Sequence, residues 1–203
     1  MTPADDIAHD DLEAGQALDG GFADPARDAA RAFRAVLDAM ARPGTTVTLD
    51  AARGPAPLSP AAAAVLLTLV DRTTPLHLAG AHDNPAVRAW VAFHCGAPLV
   101  AAADAAFALG TWAALVPADR FAIGTPEYPD RSATLIVDDP AEGAPCTLSG
   151  PGIRGTAQAL LPDPAAFAAN HARFPLGWDA ILTRGRTLAA VPRSTALRET
   201  EVC

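Results

Sequence analysis

The chain of 203 residues contains no lysine: all fifteen basic residues are arginine. Without an ε-amine there is no internal Schiff base, and the Gly-x-x-x-x-Gly-Lys-Ser/Thr phosphate loop cannot be built. Cysteine is scarce and odd in number, at Cys95, Cys146 and Cys203, with no CxxC or Cys/His ligand spacing. That usage fits a reduced compartment better than a disulfide scaffold. No stretch reaches the ~20 apolar residues of a membrane span, and the first eighteen residues hold no apolar signal-type run. The expectation is a cytoplasmic protein without membrane partners. The first twenty residues contain no arginine, yet carry Asp5, Asp6, Asp10, Asp11, Glu13 and Asp19. The body that follows is nearly neutral, with 17 acids against 15 arginines, so a nucleic-acid partner is not expected. Residues 1–20 read as an acidic solubilising tail, and residues 21–203 as one domain able to close a sizeable core.

What is present is alternation. Asp24-Pro25 opens a helix on which Ala30, Phe33, Leu37 and Met40 recur at helical spacing as the expected core stripe, until Pro43-Gly44 ends it. Ser59-Pro60 opens a second helix through Val70, and Asn84-Pro85 a third, with Val87, Trp90, Val91 and His94 on one side. Strands are expected at Thr45 to Leu49, Pro75 to Ala79, Pro98 to Ala101, Phe107 to Thr111, Ala133 to Val137, Thr147 to Leu148, Ala180 to Thr183 and Leu188 to Val191. A short helix is expected over Pro117 to Ile123 and a late one over Pro164 to Arg173. Ala51 to Pro57 and Asp138 to Pro145 read as exposed loops. The fold class is α/β, a mixed sheet with helices on both faces. The bunching of Trp90, Val91 and Phe93 exceeds what one helix face buries and suggests a subunit interface.

Few residues offer chemistry. His94 sits on an apolar helix side, as a core or interface histidine does. His77 and His82 lack a third ligand at a regular offset, so no metal site is expected. Ser149-Gly150-Pro151-Gly152 lacks the order of a nucleophile turn, and Pro151 removes an N–H that an oxyanion hole would need. Asp71, beside Thr73-Thr74-Pro75, is either a binding group or a helix-terminal turn. Arginines matter because a guanidinium fork grips anionic oxygens. Arg34 lies on the first helix opposite Leu37 and Met40. Arg184 and Arg186 flank a turn glycine and read as solvated, whereas Arg193, fixed after Pro192, is oriented, with Asp179 as its expected partner. The candidate binding or interface residues are therefore Arg34, Asp71, His94, Asp179 and Arg193. No catalytic residue, cofactor site or metal site is assigned.

The last thirty residues are the most specific. Phe174-Pro175-Leu176-Gly177-Trp178-Asp179 is a Pro/Gly corner aiming an acid, followed by two apolar strands around Arg184-Gly185-Arg186 and a Pro192-Arg193-Ser194-Thr195 exit. This resembles the C-terminal signature of the H subunit of the bacterial carbon-phosphorus lyase core complex, the PhnH family. The resemblance continues through Glu201-Val202-Cys203 and, upstream, through Gly21 to Pro25, Phe33-Arg34, Leu67 to Leu69, Thr74 to Leu76, Phe93-His94, Gly96 to Leu99, Gly124-Thr125, Ser132 to Thr134 and Leu148 to Ile153. It departs at Cys95 and Ser194, where threonine is usual, at Trp178, where an aliphatic residue is usual, and at Ala30, where glutamine is usual. The family implies a fold like that of pyridoxal-phosphate-dependent transferases, without the cofactor. It also implies a homodimer that assembles with subunits G, I and J. That assembly makes ribose 1-phosphonate 5-triphosphate from ATP and phosphonate, with this chain as a non-autonomous subunit. The competing readings are a free-standing transferase on such a fold and a small-ligand binding module without chemistry.

Overall fold

The computed structural model describes residues 19–49, 52–138 and 143–199. The acidic tail up to residue 18 and Glu201-Val202-Cys203 lie outside the described residues.

In chain order the elements are β1 (Gly21–Phe22), α1 (Pro25–Ala41), β2 (Val47–Thr48), β3 (Ala52–Arg53), α2 (Pro60–Leu69), β4 (Leu76–Leu78), α3 (Pro85–His94), β5 (Phe107–Gly110), α4 (Trp112–Leu115), β6 (Thr134–Asp138), β7 (Ala144–Ser149), β8 (Ala157–Leu161), α5 (Pro164–His171), β9 (Asp179–Arg184), β10 (Thr187–Val191) and β11 (Ala196–Glu199). Four helices begin alike. The side chains of Asp24, Ser59, Asn84 and Asp163 accept from the backbone N–H of Arg27, Ala62, Val87 and Ala166, and a proline follows each cap at the first helical position. An oxygen satisfies an orphan N–H, and proline's fixed φ suits the first turn.

The main sheet runs β2-β10-β9-β6-β5-β4. Strands β4, β5, β6 and β9 are parallel, and β10 and β2 continue it antiparallel. A second antiparallel sheet, β11-β7-β8, lies apart from it, and β1 pairs with β3. Period-two alternation divides the core. Leu109, Ile136, Ile181, Leu188 and Ala190 face α1, α2 and α3. Ala108, Leu135, Val137, Ala180 and Val191 face α4, α5 and the small sheet. Helices thus cover both faces of a mixed sheet, as expected of an α/β chain.

Several details differ from the sequence reading. On α1 the buried positions are Asp28, Ala32, Val36 and Ala39, while Phe33 and Leu37 are 48% and 52% exposed. The inner face uses small side chains because α1 packs close against α2, whose Ala61 to Leu66 are all buried. Trp90 and Val91 are buried in the chain's own core, so of that bunch only Phe93 is outward. Pro98 to Ala101 contributes only a bridge from Leu99 to Leu76. Pro117 to Ile123 holds one 3₁₀ turn, Ala118–Arg120, and the helical turn precedes it as α4. The expected loops contain strand: Ala52 and Arg53 form β3, Asp138 ends β6 and Ala144 starts β7, while residues 50–51 and 139–142 lie outside the described residues. Among the described residues no helix is long and apolar enough to cross a membrane.

Candidate functional site

Two polar clusters sit at opposite ends of the parallel strands. At the start of β9, Asp179 faces the chain leaving β10, because the hairpin register pairs Ala180 with Val191. Asp179 Oδ1 accepts from Arg193 N (2.8 Å) and Nε (3.2 Å), Oδ2 accepts from Nη2 (2.6 Å), and Arg193 Nη1 donates to Pro129 O (2.6 Å). Nδ1 of His171 donates to Arg193 O (2.9 Å). The two side chains are only 14% and 17% exposed, so this pair is shielded from the screening that weakens surface ion pairs. The predicted Arg193–Asp179 pairing is present.

The corner before Asp179 is braced by a residue the sequence reading missed. Asn170 accepts from Trp178 N (3.0 Å) and donates to Trp178 O (2.8 Å). It thereby satisfies both backbone groups of a residue whose ring packs with Trp112 and Phe167. Gly177, at φ +126, fits because a Cβ there would come within 2.7 Å of Asn170 Oδ1.

The second cluster is centred on Asp138, at the C-terminal end of β6. Its Oδ2 accepts from Ser59 N (2.9 Å) and His82 Nε2 (3.1 Å), and its Oδ1 from Thr183 Oγ1 (2.9 Å). The stretch read as an exposed loop therefore begins with a carboxylate only 4% exposed. Burial pushes its pKa up, but the hydrogen bonds from His82, Ser59 and Thr183 outweigh it and hold the group below the usual carboxylate value. His82 Nδ1 is buried and has no hydrogen-bond partner among the described residues. Ends of parallel strands are where α/β sheets place ligands. With His82 at 2% exposure, however, the couple positions structure and does not face solvent.

The other candidates are dispersed. Arg34 is exposed on α1 and, at about 100° per residue, lies only about 60° round the helix from Leu37, so it neighbours that side chain where the sequence reading set it opposite. Asp71 is a turn-former, accepting from Thr73 Oγ1 (2.7 Å), Thr73 N (2.8 Å) and Thr74 Oγ1 (3.0 Å), and those bonds, Thr73's first, hold its pKa down. The His94 ring stacks near Trp90 (4.8 Å) and Phe93 (4.9 Å) and lies close to Gly21, where a Cβ would meet it at 2.9 Å. It ties β1 to α3. His77 Nδ1 donates to Val100 O (3.0 Å). Among the described residues no group of three or more His, Cys, Asp or Glu is placed to hold a metal. A cleft of about 410 Å³ opens between β8 and the β9–β10 hairpin, with Leu160, Leu182 and Val191 as apolar walls and Gln158, Arg184 and Thr187 as polar ones.

Comparison with known proteins accounts for the signature. The family model for the bacterial phosphonate metabolism protein (PhnH) matches residues 20–198. A Rhizobium meliloti (strain 1021) protein, "Alpha-D-ribose 1-methylphosphonate 5-triphosphate synthase subunit PhnH", is 43% identical over 192 residues, covering 90% of this chain and 96% of that protein. A Stutzerimonas stutzeri protein, "Putative C-P lyase subunit protein HtxG", is 32% identical over 176 residues, covering 81% of this chain and 83% of that one. With a family match across nearly all of its described length, the chain belongs to the PhnH family of bacterial phosphonate metabolism proteins.

Proposed function

We propose that this chain is a subunit of the carbon-phosphorus lyase machinery, acting where alpha-D-ribose 1-methylphosphonate 5-triphosphate is formed from ATP and a phosphonate. The observation that carries this reading is the 43% identity spread over 90% of the chain and 96% of a relative named as a subunit of that synthase. The site geometry agrees with a supporting role, since the strongest polar contacts of Asp179, Arg193 and Asp138 are internal. Residues 21–203 act as one cytoplasmic unit, a homodimer that joins subunits G, I and J. Its layered sheet is of the pyridoxal-phosphate transferase type, and the lack of lysine rules out that cofactor's internal aldimine.

The test is co-expression of the full chain with subunits G, I and J, followed by an assay for phosphonate-dependent release of adenine from ATP. The complex should turn over, the isolated chain should not, and omitting this chain should lower the yield or activity of the assembly. Robust turnover by the isolated chain would instead support the free-standing transferase.

A further inference from the structure

Helix α1 is apolar around more of its circumference than its own protein covers. At about 100° per residue, Ala32, Val36 and Ala39 point inward, with Ala29, Ala35 and Met40 on the margins. Ala26, Ala30, Phe33, Leu37 and Ala41 form a second, adjoining stripe that is exposed along the whole helix. Together the two stripes span roughly 240°, an arc expected of a helix packed on two sides. Ala30, Phe33, Leu37 and Met40 follow one another at intervals of three and four, the spacing with which one helix packs against another. The border of this stripe away from the core is cationic. Arg34 and Arg27 lie beside it, with Arg31 behind them. Among the described residues the side chains of Arg27 and Arg31 keep only long contacts to Asp24 and Asp28, at 3.6 and 3.7 Å, while Asp38 is engaged by Arg42 (2.5 Å). The Arg34 side chain has no hydrogen bond or ion pair among the described residues.

We infer that the outer face of α1 is a docking surface for an amphipathic helix of another subunit, one whose apolar stripe is bordered by Asp or Glu. Phe33 and Leu37 are the anchors, and Arg34 meets the partner's acid. The inference rests on the proposed role as a subunit. Charge decides against a second copy of this chain as occupant: two α1 helices packed about a two-fold axis at Phe33 and Leu37 bring Arg34 close to its own symmetry mate, a like-charge contact that opposes pairing.

The experiment uses the full chain co-expressed with subunits G, I and J, as wild type, Phe33→Asp, Leu37→Glu and Arg34→Glu, with Leu160→Glu as an exposed apolar control far along the chain. Each variant is also purified alone for its melting temperature and its mass by light scattering. Leu37→Glu and Phe33→Asp should keep both but lose about tenfold or more in affinity for the assembly. Arg34→Glu should lose roughly three- to tenfold, most at low salt, and Leu160→Glu should assemble normally. Normal assembly of the α1 variants would overturn the inference while leaving the subunit role standing. A change in the mass of the isolated Leu37→Glu chain would overturn it in favour of a second copy. A wild-type chain that fails to join the assembly would remove the functional reading and this inference with it.

Discussion

Truncating Asp138 should be among the most damaging single changes in this protein, more so than removing any charged group that faces water. Asp138→Ala leaves two donors without an acceptor, Ser59 N–H at the start of α2 and His82 Nε2–H, and leaves the Thr183 hydroxyl with only a long contact to Val137 O (3.5 Å). A buried donor left unsatisfied costs ~1–3 kcal/mol, and breaking a buried charged network ~3–5 kcal/mol in total. In a domain of this size each kcal/mol moves the midpoint by about 2–4 °C, so Asp138→Ala should melt roughly 6–20 °C below wild type. Asp138→Asn keeps the shape and one acceptor oxygen and should lose about half as much. The pH dependence has a defined sign. The folded pKa lies below the unfolded value, so the unfolded chain binds more protons between the two. This contribution is complete above the unfolded pKa of about 3.9 and disappears as pH falls through the lower folded value. Urea unfolding of wild type and Asp138→Asn at pH 7, 5 and 3 measures it, and the gap between them should narrow toward pH 3. A melting temperature for Asp138→Ala within about 2 °C of wild type would refute the reasoning.

Arg193→Ala, which strips Asp179 of both side-chain bonds and frees Pro129 O, should cost ~2–4 kcal/mol in urea unfolding, against less than ~0.5 kcal/mol for Arg184→Ala on the exposed turn. Equal effects would make Arg193 ordinary surface charge. Asn170→Ala should cost ~2–4 kcal/mol by exposing two buried backbone groups at Trp178 to no partner, seen as a lower midpoint and a changed tryptophan emission. Cys95, whose burial raises its thiol pKa to about 11, should react with iodoacetamide at pH 8 far more slowly in the folded chain than in urea.

What the sequence reveals depends on the reach of the interaction. The starts of α1, α2, α3 and α5 are each written in adjacent residues, a cap and a proline, and can be read directly. The Arg193–Asp179 pair spans 14 residues, but one hairpin lies between them, so its turn and two apolar strands bring the partners together. The Asp138 cluster joins residues 56 and 79 positions apart through the packing of separate β-α units, and nothing local marks it. Asp138 followed by Asp139-Pro140 has the composition of a loop. Strands β8 (Ala-Gln-Ala-Leu-Leu) and β11 (Ala-Leu-Arg-Glu) escape notice for a related reason: alanine, glutamine and glutamate favour helix, and only pairing to β7 makes these segments extended. The stripe on α1 misleads differently. Its helical period is correct, but period does not say which of two apolar faces turns inward, and the smaller one does because α2 comes close.

The residues by which the family is recognised and the residues by which it acts need not be the same. Phe174 to Asp179 and Pro192 to Thr195 contain the chain's most specific pattern, and the structure uses Trp178, Asp179 and Arg193 to lock the start of β9 to the end of β10 and to the Pro129 turn. A guanidinium held by a carboxylate and a carbonyl has little left to offer a phosphonate oxygen. If the chain contributes to phosphonate chemistry as a subunit, its contribution must pass through groups that this scaffold leaves outward. Phe33, Leu37 and Arg34 on α1 are such groups, and they are fixed on a rigid helix rather than a loop, which is the form a surface needs in order to hold a partner in register.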